Sequence, residues 1–546
     1  MTFLKTDLTT ETDLQKHGFG TGPIRSKRPV YVDYFPPCNN ACPAGENIQS
    51  WLALAQSGDY FEAWKKLTEE NPMPAIHGRV CYHPCETSCN RGFIDSSVSI
   101  HGVERFLGDL AIAENWQFPK PEIKSGKRVL IIGAGPSGLS AAYHLARLGH
   151  EVSVYEAGPV AGGMMHFGIP AYRLPRKILR AEVGRIEEMG VSFRLNYKVT
   201  DVLAEKTNSN FDAVFIAIGA HIGKKTEIPA REAGKILDAV SFLKDVELGL
   251  QPKIGRRVVV YGGGNTAMDA ARTAKRLGAE EALIIYRRDR EHMPAHDFEA
   301  DEALSEGVKI HWLRTIKNLD STSMTVERMD IVDGKPVPTG EFETLEADSL
   351  ILALGQDTET DFLKGIEGIE FKTDGTVVVD GAMMTGHAGI FAGGDMVPSE
   401  RTVTIATGHG KKAARHIDAW LDAKTYQKSS NNPLVGIEKL HVWYLTDAPP
   451  KPQNHLQPEI AAAGFDEIVA GYSADEAQYE AQRCLSCGNC FECDGCFGAC
   501  PEDAVIKLGK GSRYRYDYDL CTGCGVCYEQ CPCHAIDLIA EPEKGR

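Results

Sequence analysis

RVLIIGAGPSGLSAAYHLARLGHEVSVYE, residues 128–156, decides the fold. Its apolar run VLII reads as a buried strand, GAGPSG as a glycine turn, the stretch after it as a helix and EVSVYE as a second strand. Strand, turn, helix and strand in that order open a βαβ unit with a parallel sheet. Gly133, Gly135 and Gly138 let the backbone turn tightly and approach a pyrophosphate, which rests on the helix N-terminus where N–H groups point outward. Glu156 ends the second strand, where a carboxylate can accept both ribose hydroxyls. This half reads as an adenosine site for FAD or NAD; the alternative is a purely structural strand–helix turn.

A second unit, RRVVVYGGGNTAMDAARTAKRLGAEEALIIYRR, spans residues 256–288. Gly262, Gly264 and Ala267 form the glycine-to-alanine variant of the turn, with Asn265 beside them. Its second strand ends in Tyr286, Arg287 and Arg288 with no acid. A carboxylate would repel a ribose 2′-phosphate, whereas guanidinium groups pair with it. Arg287 and Arg288 therefore favour NADP(H) over NAD(H), against the alternative of two solvated surface arginines. Two dinucleotide sites in this order imply hydride transfer between nicotinamide and flavin, near Gly162, Gly163 and the following HFGIP. The cofactors carry that chemistry, so no catalytic acid or base is assigned. DSLILALG and GIFAGGD read as two further short strands. In the second, Gly393, Gly394 and Asp395 suit a closing flavin contact, the acid on ribityl hydroxyls. His292 and His296 stand i, i+4 in EHMPAHDFE but lack a third ligand for zinc.

Outside these units the chain is rich in cysteine. Sixteen cysteines would suit a disulfide framework in a secreted protein, but neighbours two residues apart recur, and metal clusters need that closeness. Cys490, Cys493, Cys496 and Cys500 before Pro501 fit C-x2-C-x2-C-x3-C-P, and Cys521, Cys524, Cys527 and Cys531 before Pro532 repeat it. In this pattern the fourth cysteine crosses to the other cluster. One cluster takes Cys490, Cys493, Cys496 and Cys531; its mate takes Cys521, Cys524, Cys527 and Cys500. The same repeat is visible as CFGACPEDAVI and CYEQCPCHAID. At the other end, the first stretch to about residue 125 reads as mainly helical. Ile48, Trp51, Leu52 and Ala55 form one apolar stripe and Phe61, Trp64 and Leu67 a second, read as core between two helices. Cys38, Cys42, Cys81, Cys85 and Cys89 lie around them. A Pro-containing connector that includes APPKPQ leads to the tail.

A chain of 546 residues suggests three or four domains at about 150 residues each, and 43% apolar with 25% charged residues suits ordinary globular protein. A formal charge of −16 argues against nucleic acid and suits a basic docking partner or simply a solvated acidic surface. With no 18-residue apolar run and no cleavable leader, a soluble cytoplasmic protein without a membrane span is expected.

GRVCYHPCETSC, VLIIGAGPSGLSAA, GGGNTAMD, YRRDREHMPA and FAGGD, in this order, resemble the small subunit of NADPH-dependent glutamate synthase and the N-terminal half of dihydropyrimidine dehydrogenase. The similarity runs over most of residues 35–425. It implies a multidomain chain: an α-helical iron–sulfur domain (1–125), then an α/β Rossmann-like FAD domain (126–225 and 356–425) interrupted by an NADP(H) domain (226–355). A connector (426–480) and an α+β ferredoxin tail (481–546) follow, the tail being an addition relative to the glutamate synthase subunit.

By the same resemblance, one N-terminal [4Fe–4S] cluster takes Cys42, Cys81, Cys85 and Glu104, the last with an ordinary helix-surface glutamate as its alternative. The family's other cluster uses a C-x2-C pair shortly before the equivalent of Cys38, together with Cys38 and Cys89. No cysteine precedes Cys38 here. The tail, however, carries a spare pair, Cys484 and Cys487, in EAQRCLSCG, which resembles the family's approach to the missing one. These two are expected to fold back and complete the cluster, within the chain or across a dimer, giving four clusters and leaving only Cys533 over. The alternative is two idle cysteines and a single N-terminal cluster, besides the two in the tail. The whole reads as a flavoprotein passing electrons between NADP(H) and iron–sulfur clusters, in either direction. The tail would face a redox partner protein or ferredoxin, the chain being one subunit of a hetero-oligomeric enzyme. The alternatives are the glutamate synthase small subunit itself, a free-standing ferredoxin:NADP(H) oxidoreductase, the electron-input subunit of another enzyme, and a non-catalytic iron–sulfur scaffold.

Overall fold

In the computed structural model, which describes residues 25–542 except 225, 227, 229–234, 444 and 446, the two glycine-turn units build two separate parallel sheets. The amino terminus where no leader is read, residue 225 at the end of the first flavin segment and the last four residues lie outside the described residues. The first sheet runs, in order, Ile390–Ala392, Ala213–Ile216, Arg128–Ile132, Glu151–Tyr155 and Ser192–Arg194, all parallel. Its central strands are buried along nearly their whole length, as expected where helices cover both faces of a sheet. The strand Ile390–Ala392 comes from beyond the second sheet, so the second unit is an insertion into the first.

Helix Val403–Leu421 packs on helix Pro136–Arg147, and two glycines set how closely. A Cβ at Gly410 would lie 2.1 Å from the Ser137 carbonyl oxygen, and one at Gly408 would lie 2.2 Å from that of Pro43. This helix thus touches both the flavin-domain helix and the segment next to Cys42.

The second sheet runs Lys309–Trp312, Glu281–Tyr286, Arg257–Tyr261, Ser349–Leu352 and Lys235–Asp238, again parallel. A three-stranded antiparallel meander, Arg314–Leu319, Ser323–Val332 and Lys335–Glu346, is added to it.

Helices Ile48–Gln56 and Tyr60–Thr68 bury Ile48, Trp51, Leu52, Ala55, Trp64 and Leu67, as their spacing predicts. Phe61 departs from that reading: it is 44% exposed. It sits in the first turn at the rim of the stripe, stacked on Trp64 and meeting only the edge of Trp116. Among the described residues the first stretch also opens with a strand rather than a helix. Lys27–Tyr31 pairs antiparallel with Ile536–Ala540 at the far end of the chain, from Lys27 opposite Ala540 to Tyr31 opposite Ile536.

The segment read as a connector is a strap rather than a loose linker. Tyr472, Ala477 and Ala481, in and before helix Ala474–Gln482, join the core of the N-terminal helices. Ala461 and Ile468 bury against Tyr172 of the first nucleotide unit. Among the described residues no helix is long and apolar enough to cross a membrane.

Candidate functional site

At the first glycine turn the three glycines have separate physical reasons. Gly133 has φ +105°, and a Cβ there would fall 2.4 Å from the Ala217 carbonyl oxygen. A Cβ at Gly138 would fall 2.0 Å from the Gly133 carbonyl oxygen, so this glycine brings helix and strand together. A Cβ at Gly135 would meet nothing within 4 Å: this is the open face, at the N-cap of helix Pro136–Arg147, where a ligand can approach the backbone. Glu156 sits just past its strand and is held by two amides, Ala134 N–H donating at 2.8 Å and Gly158 N–H at 2.7 Å. Gly163, with φ +53°, packs against the same turn, its notional Cβ 2.9 Å from Gly135 Cα. Gly162 has φ +124°, again a conformation that favours glycine. Asp395 lies in the short turn Gly394–Met396, and burial pushes its carboxyl up to about 6. The Gly394 N–H donates to His409 Nδ1 at 3.2 Å, which fixes that turn.

The second turn repeats the geometry. Gly262 has φ +151° and a notional Cβ 2.2 Å from the Ala353 carbonyl oxygen, Gly264 opens on free space, and Ala267 is fully buried. Asn265 starts helix Asn265–Arg276, but its side chain faces the N-terminal region. Its Nδ2 donates to the Tyr82 hydroxyl at 2.6 Å, and its Oδ1 accepts the His296 N–H at 3.1 Å. The His296 ring stacks on Tyr82 with centroids 3.8 Å apart, so the residue considered for zinc is a contact between domains. Arg287 is exposed and Arg288 half-buried, and among the described residues neither is paired with a carboxylate. The Arg288 Nε is buried without a hydrogen-bond partner, an arrangement open to an incoming anion.

All sixteen cysteines are free thiols. Cys38, Cys89, Cys484 and Cys487 line one cavity, although 395 residues of sequence separate Cys89 from Cys484. Burial, then the neighbouring charges of Cys484, Cys89 and Cys487, push the Cys38 thiol well up. The arm bearing Cys484 is anchored by Arg483. Its Nε donates to the Ala448 carbonyl at 2.7 Å, Nη1 to the Ser97 carbonyl at 3.0 Å and to Glu480 at 2.9 Å, and Nη2 to the Ser96 carbonyl at 2.6 Å and to Asp95 at 3.2 Å.

Burial raises the Cys85 thiol, and the thiols of Cys42 and Cys81 beside it raise it further. In the tail, Cys490 has Cys496 and Cys531 as neighbours, and Cys493 lies beside Cys496 and Cys531. Cys500, Cys521, Cys524 and Cys527 line another cavity with Pro29.

The donor chemistry around these sulfurs suits thiolates that bind a metal cluster. Backbone N–H groups of His83, Ser486, Ala504, Gly523 and Ala535 point at the sulfurs of Cys81, Cys484, Cys500, Cys521 and Cys531, at 3.2–3.4 Å.

Glu104 is no surface glutamate. It lies on the inward face of helix Ile100–Ala113, 6% exposed, with burial pushing its carboxyl well up. It lies near both Cys42 and Cys81. Asn71 Nδ2 donates at 2.9 Å to Glu104 and also to Glu46, a second buried carboxylate whose pKa burial pushes up to about 7. Glu46, Asn71, Tyr82 and Arg483 were not read from the sequence. Of these, only Arg483 carries a sequence signal, its place next to Cys484 in EAQRCLSCG.

The model of the pyridine nucleotide-disulphide oxidoreductase family matches residues 127–410. That of dihydropyrimidine dehydrogenase domain II, 4Fe-4S cluster, matches 27–116, and a 4Fe-4S binding domain matches 514–537. The NADP(+)-dependent formate dehydrogenase subunit beta of Moorella thermoacetica is 36% identical over 83% of this chain and 70% of its own length. The NADPH-Fe(3+) oxidoreductase subunit beta of Geobacter sulfurreducens is 33% identical over 84% of this chain and 76% of its own. The glutamate synthase [NADPH] small chain of Escherichia coli is 33% identical over 71% of this chain and 89% of its own.

Proposed function

On the premise that this chain belongs to the pyridine nucleotide-disulphide oxidoreductase family, with 4Fe-4S domains at both ends, we propose that it moves electrons between NADP(H) and iron–sulfur acceptors as the electron-transfer subunit of a larger enzyme. The observation that carries the reading is that Cys38, Cys89, Cys484 and Cys487 line one cavity and Cys500, Cys521, Cys524 and Cys527 another, in a chain that also carries two glycine turns of dinucleotide type. We assign the ligand sets as Cys38, Cys89, Cys484 and Cys487; Cys42, Cys81, Cys85 and Glu104; Cys490, Cys493, Cys496 and Cys531; and Cys500, Cys521, Cys524 and Cys527.

FAD, when bound, would supply hydride chemistry toward nicotinamide and one-electron chemistry toward the clusters. The chain's own residues position and shield. The Gly133–Gly138 turn and the N-terminus of helix Pro136–Arg147 hold the flavin pyrophosphate, Glu156 its ribose and Asp395 its ribityl chain. The Gly262–Ala267 turn with Arg287 and Arg288 holds a 2′-phosphorylated dinucleotide. Free thiols and clusters fit a reducing compartment, the cytoplasm.

The relatives named as subunits beta match 83–84% of this chain and the glutamate synthase small chain 71%, which favours a role in a system other than glutamate synthesis. Anaerobic purification of the tagged chain from its host, with iron, flavin and co-purifying proteins measured, tests the proposal. A stoichiometric partner and NADPH-dependent dye reduction are expected. A chain isolated alone that reduces ferredoxin with NADPH would replace the subunit reading by a free-standing oxidoreductase. Changing both Cys484 and Cys487 to Ser should remove about four irons per chain; an unchanged iron content would refute that ligand set.

A further inference from the structure

Two side chains outside every ligand set reach sulfurs of a single tail group. The Tyr31 hydroxyl lies 3.2 Å from the sulfur of Cys496. It arrives there because strand Lys27–Tyr31 pairs with the last strand of the tail, placing Tyr31 opposite Ile536. The sulfur of Cys533, the one cysteine without a cluster, is 2% exposed and 3.8 Å from the sulfur of Cys531. A ligating thiolate can only accept, so Tyr31 O–H and Cys533 S–H are the donors. Tyr516 stacks on Tyr31 with centroids 4.9 Å apart and stands beside Cys527 of the mate group.

An electron added to an iron–sulfur cluster increases the negative charge on its sulfurs, so donors to those sulfurs stabilise the reduced form more than the oxidised one. We propose that Tyr31 and Cys533 are positioning residues that raise the reduction potential of the cluster held by Cys490, Cys493, Cys496 and Cys531. The inference rests on the ligand sets proposed above. It gives the leftover cysteine and the N-terminal strand a joint role: the strand brings a hydroxyl to a cluster whose ligands all lie more than 450 residues further along.

The test is an EPR-monitored redox titration of the intact, anaerobically purified protein with iron counted in parallel. Tyr31→Phe and Cys533→Ala should keep full iron and shift a tail midpoint to more negative potential. For each, the reduced-to-oxidised ratio at fixed poise should fall by up to about tenfold, about 59 mV for one electron. Cys533→Ser, which retains a donor, should restore much of the wild-type value. Tyr34→Phe, whose hydroxyl bonds Asp537 rather than a sulfur, should move neither midpoint. Full iron with unmoved midpoints in both Tyr31→Phe and Cys533→Ala would overturn the inference alone. Loss of about four irons in Cys533→Ala but not in Cys531→Ala would make Cys533 the ligand and overturn the ligand set beneath it.

Discussion

Replacing Arg483 by Met should loosen the arm that carries Cys484 and Cys487 while leaving every thiol in place. The guanidinium is 1% exposed and holds three backbone carbonyls and two carboxylates. Removing one partner of a buried ion pair costs roughly 3–5 kcal/mol because the other charge is stranded. Here the lower end applies, for both carboxylates keep other partners. Glu480 still accepts the N–H groups of Ser99 at 3.0 Å and Lys451 at 2.5 Å, and Asp95 keeps Arg91 at 2.6 Å. About 3 kcal/mol multiplies the undocked fraction by roughly a hundred.

The assay is iron release to a chelator under anaerobic conditions. About four irons should leave up to a hundredfold faster in Arg483→Met than in the wild type, with the remainder unchanged. Arg483→Lys should fall between them, since an ammonium has three donors and no planar fork. Release indistinguishable from wild type in Arg483→Met would refute the view that this arginine docks a cluster-bearing arm.

Gly138→Ala would place a Cβ 2.0 Å from the Gly133 carbonyl oxygen, so bound flavin per chain should drop sharply while iron stays constant; equal flavin would argue against a dinucleotide turn there. Arg288→Glu should raise KM for NADPH by about ten- to a hundredfold and leave NADH nearly unaffected, and an equal change for both would remove the 2′-phosphate from the argument. Glu182 is fully buried, and burial pushes its carboxyl up from 4.5 to about 7. Its folded pKa lies above the unfolded one, so wild-type stability should fall as pH rises from about 4.5 to 7 and then level off. Glu182→Gln should therefore be more stable by about 3 kcal/mol at pH 8 and little changed at pH 4.5, read from denaturation midpoints at the two values. A difference independent of pH would mean that ionisation is not what Glu182 costs.

The parts legible in the sequence are those that local geometry dictates. The first glycine turn needs its third glycine at fixed spacing because a Cβ at Gly138 would strike the Gly133 carbonyl oxygen within the same unit. Ligands of one cluster must lie close, so the C-x2-C pairs announce themselves. Distant pairings carry no such local mark. KRPVY has no period that predicts a strand, and it is one only because Ile536–Ala540 lies beside it. Glu104 reads as a helix-surface glutamate as readily as a ligand until its burial and its bond from Asn71 are seen. Gly408 and Gly410 look like flaws in helix Val403–Leu421, and only the approach of Pro43 and Ser137 explains them. Phe61 failed for a related reason: helical spacing gives direction but not where the covering neighbour ends.

The spare C-x2-C pair and the early strand are two halves of one exchange. The tail supplies Cys484 and Cys487 to the cavity of the N-terminal helices, and the N-terminal segment supplies a strand to the tail. The junction is pinned by backbone bonds to both sides: Tyr34 N–H donates to the Gly488 carbonyl at 2.9 Å, and Gly488 N–H donates to the Cys533 carbonyl at 2.6 Å. Cys487 and Cys490 are three residues apart, which limits their Cα atoms to roughly 11 Å. Under the proposed ligand sets these two cysteines belong to different clusters, so covalent geometry alone keeps those clusters within a short, fixed reach. A pair placed ahead of Cys38 would leave the ferredoxin tail held near the N-terminal clusters by non-covalent docking alone; a pair at Cys484 and Cys487 makes that distance a property of the chain.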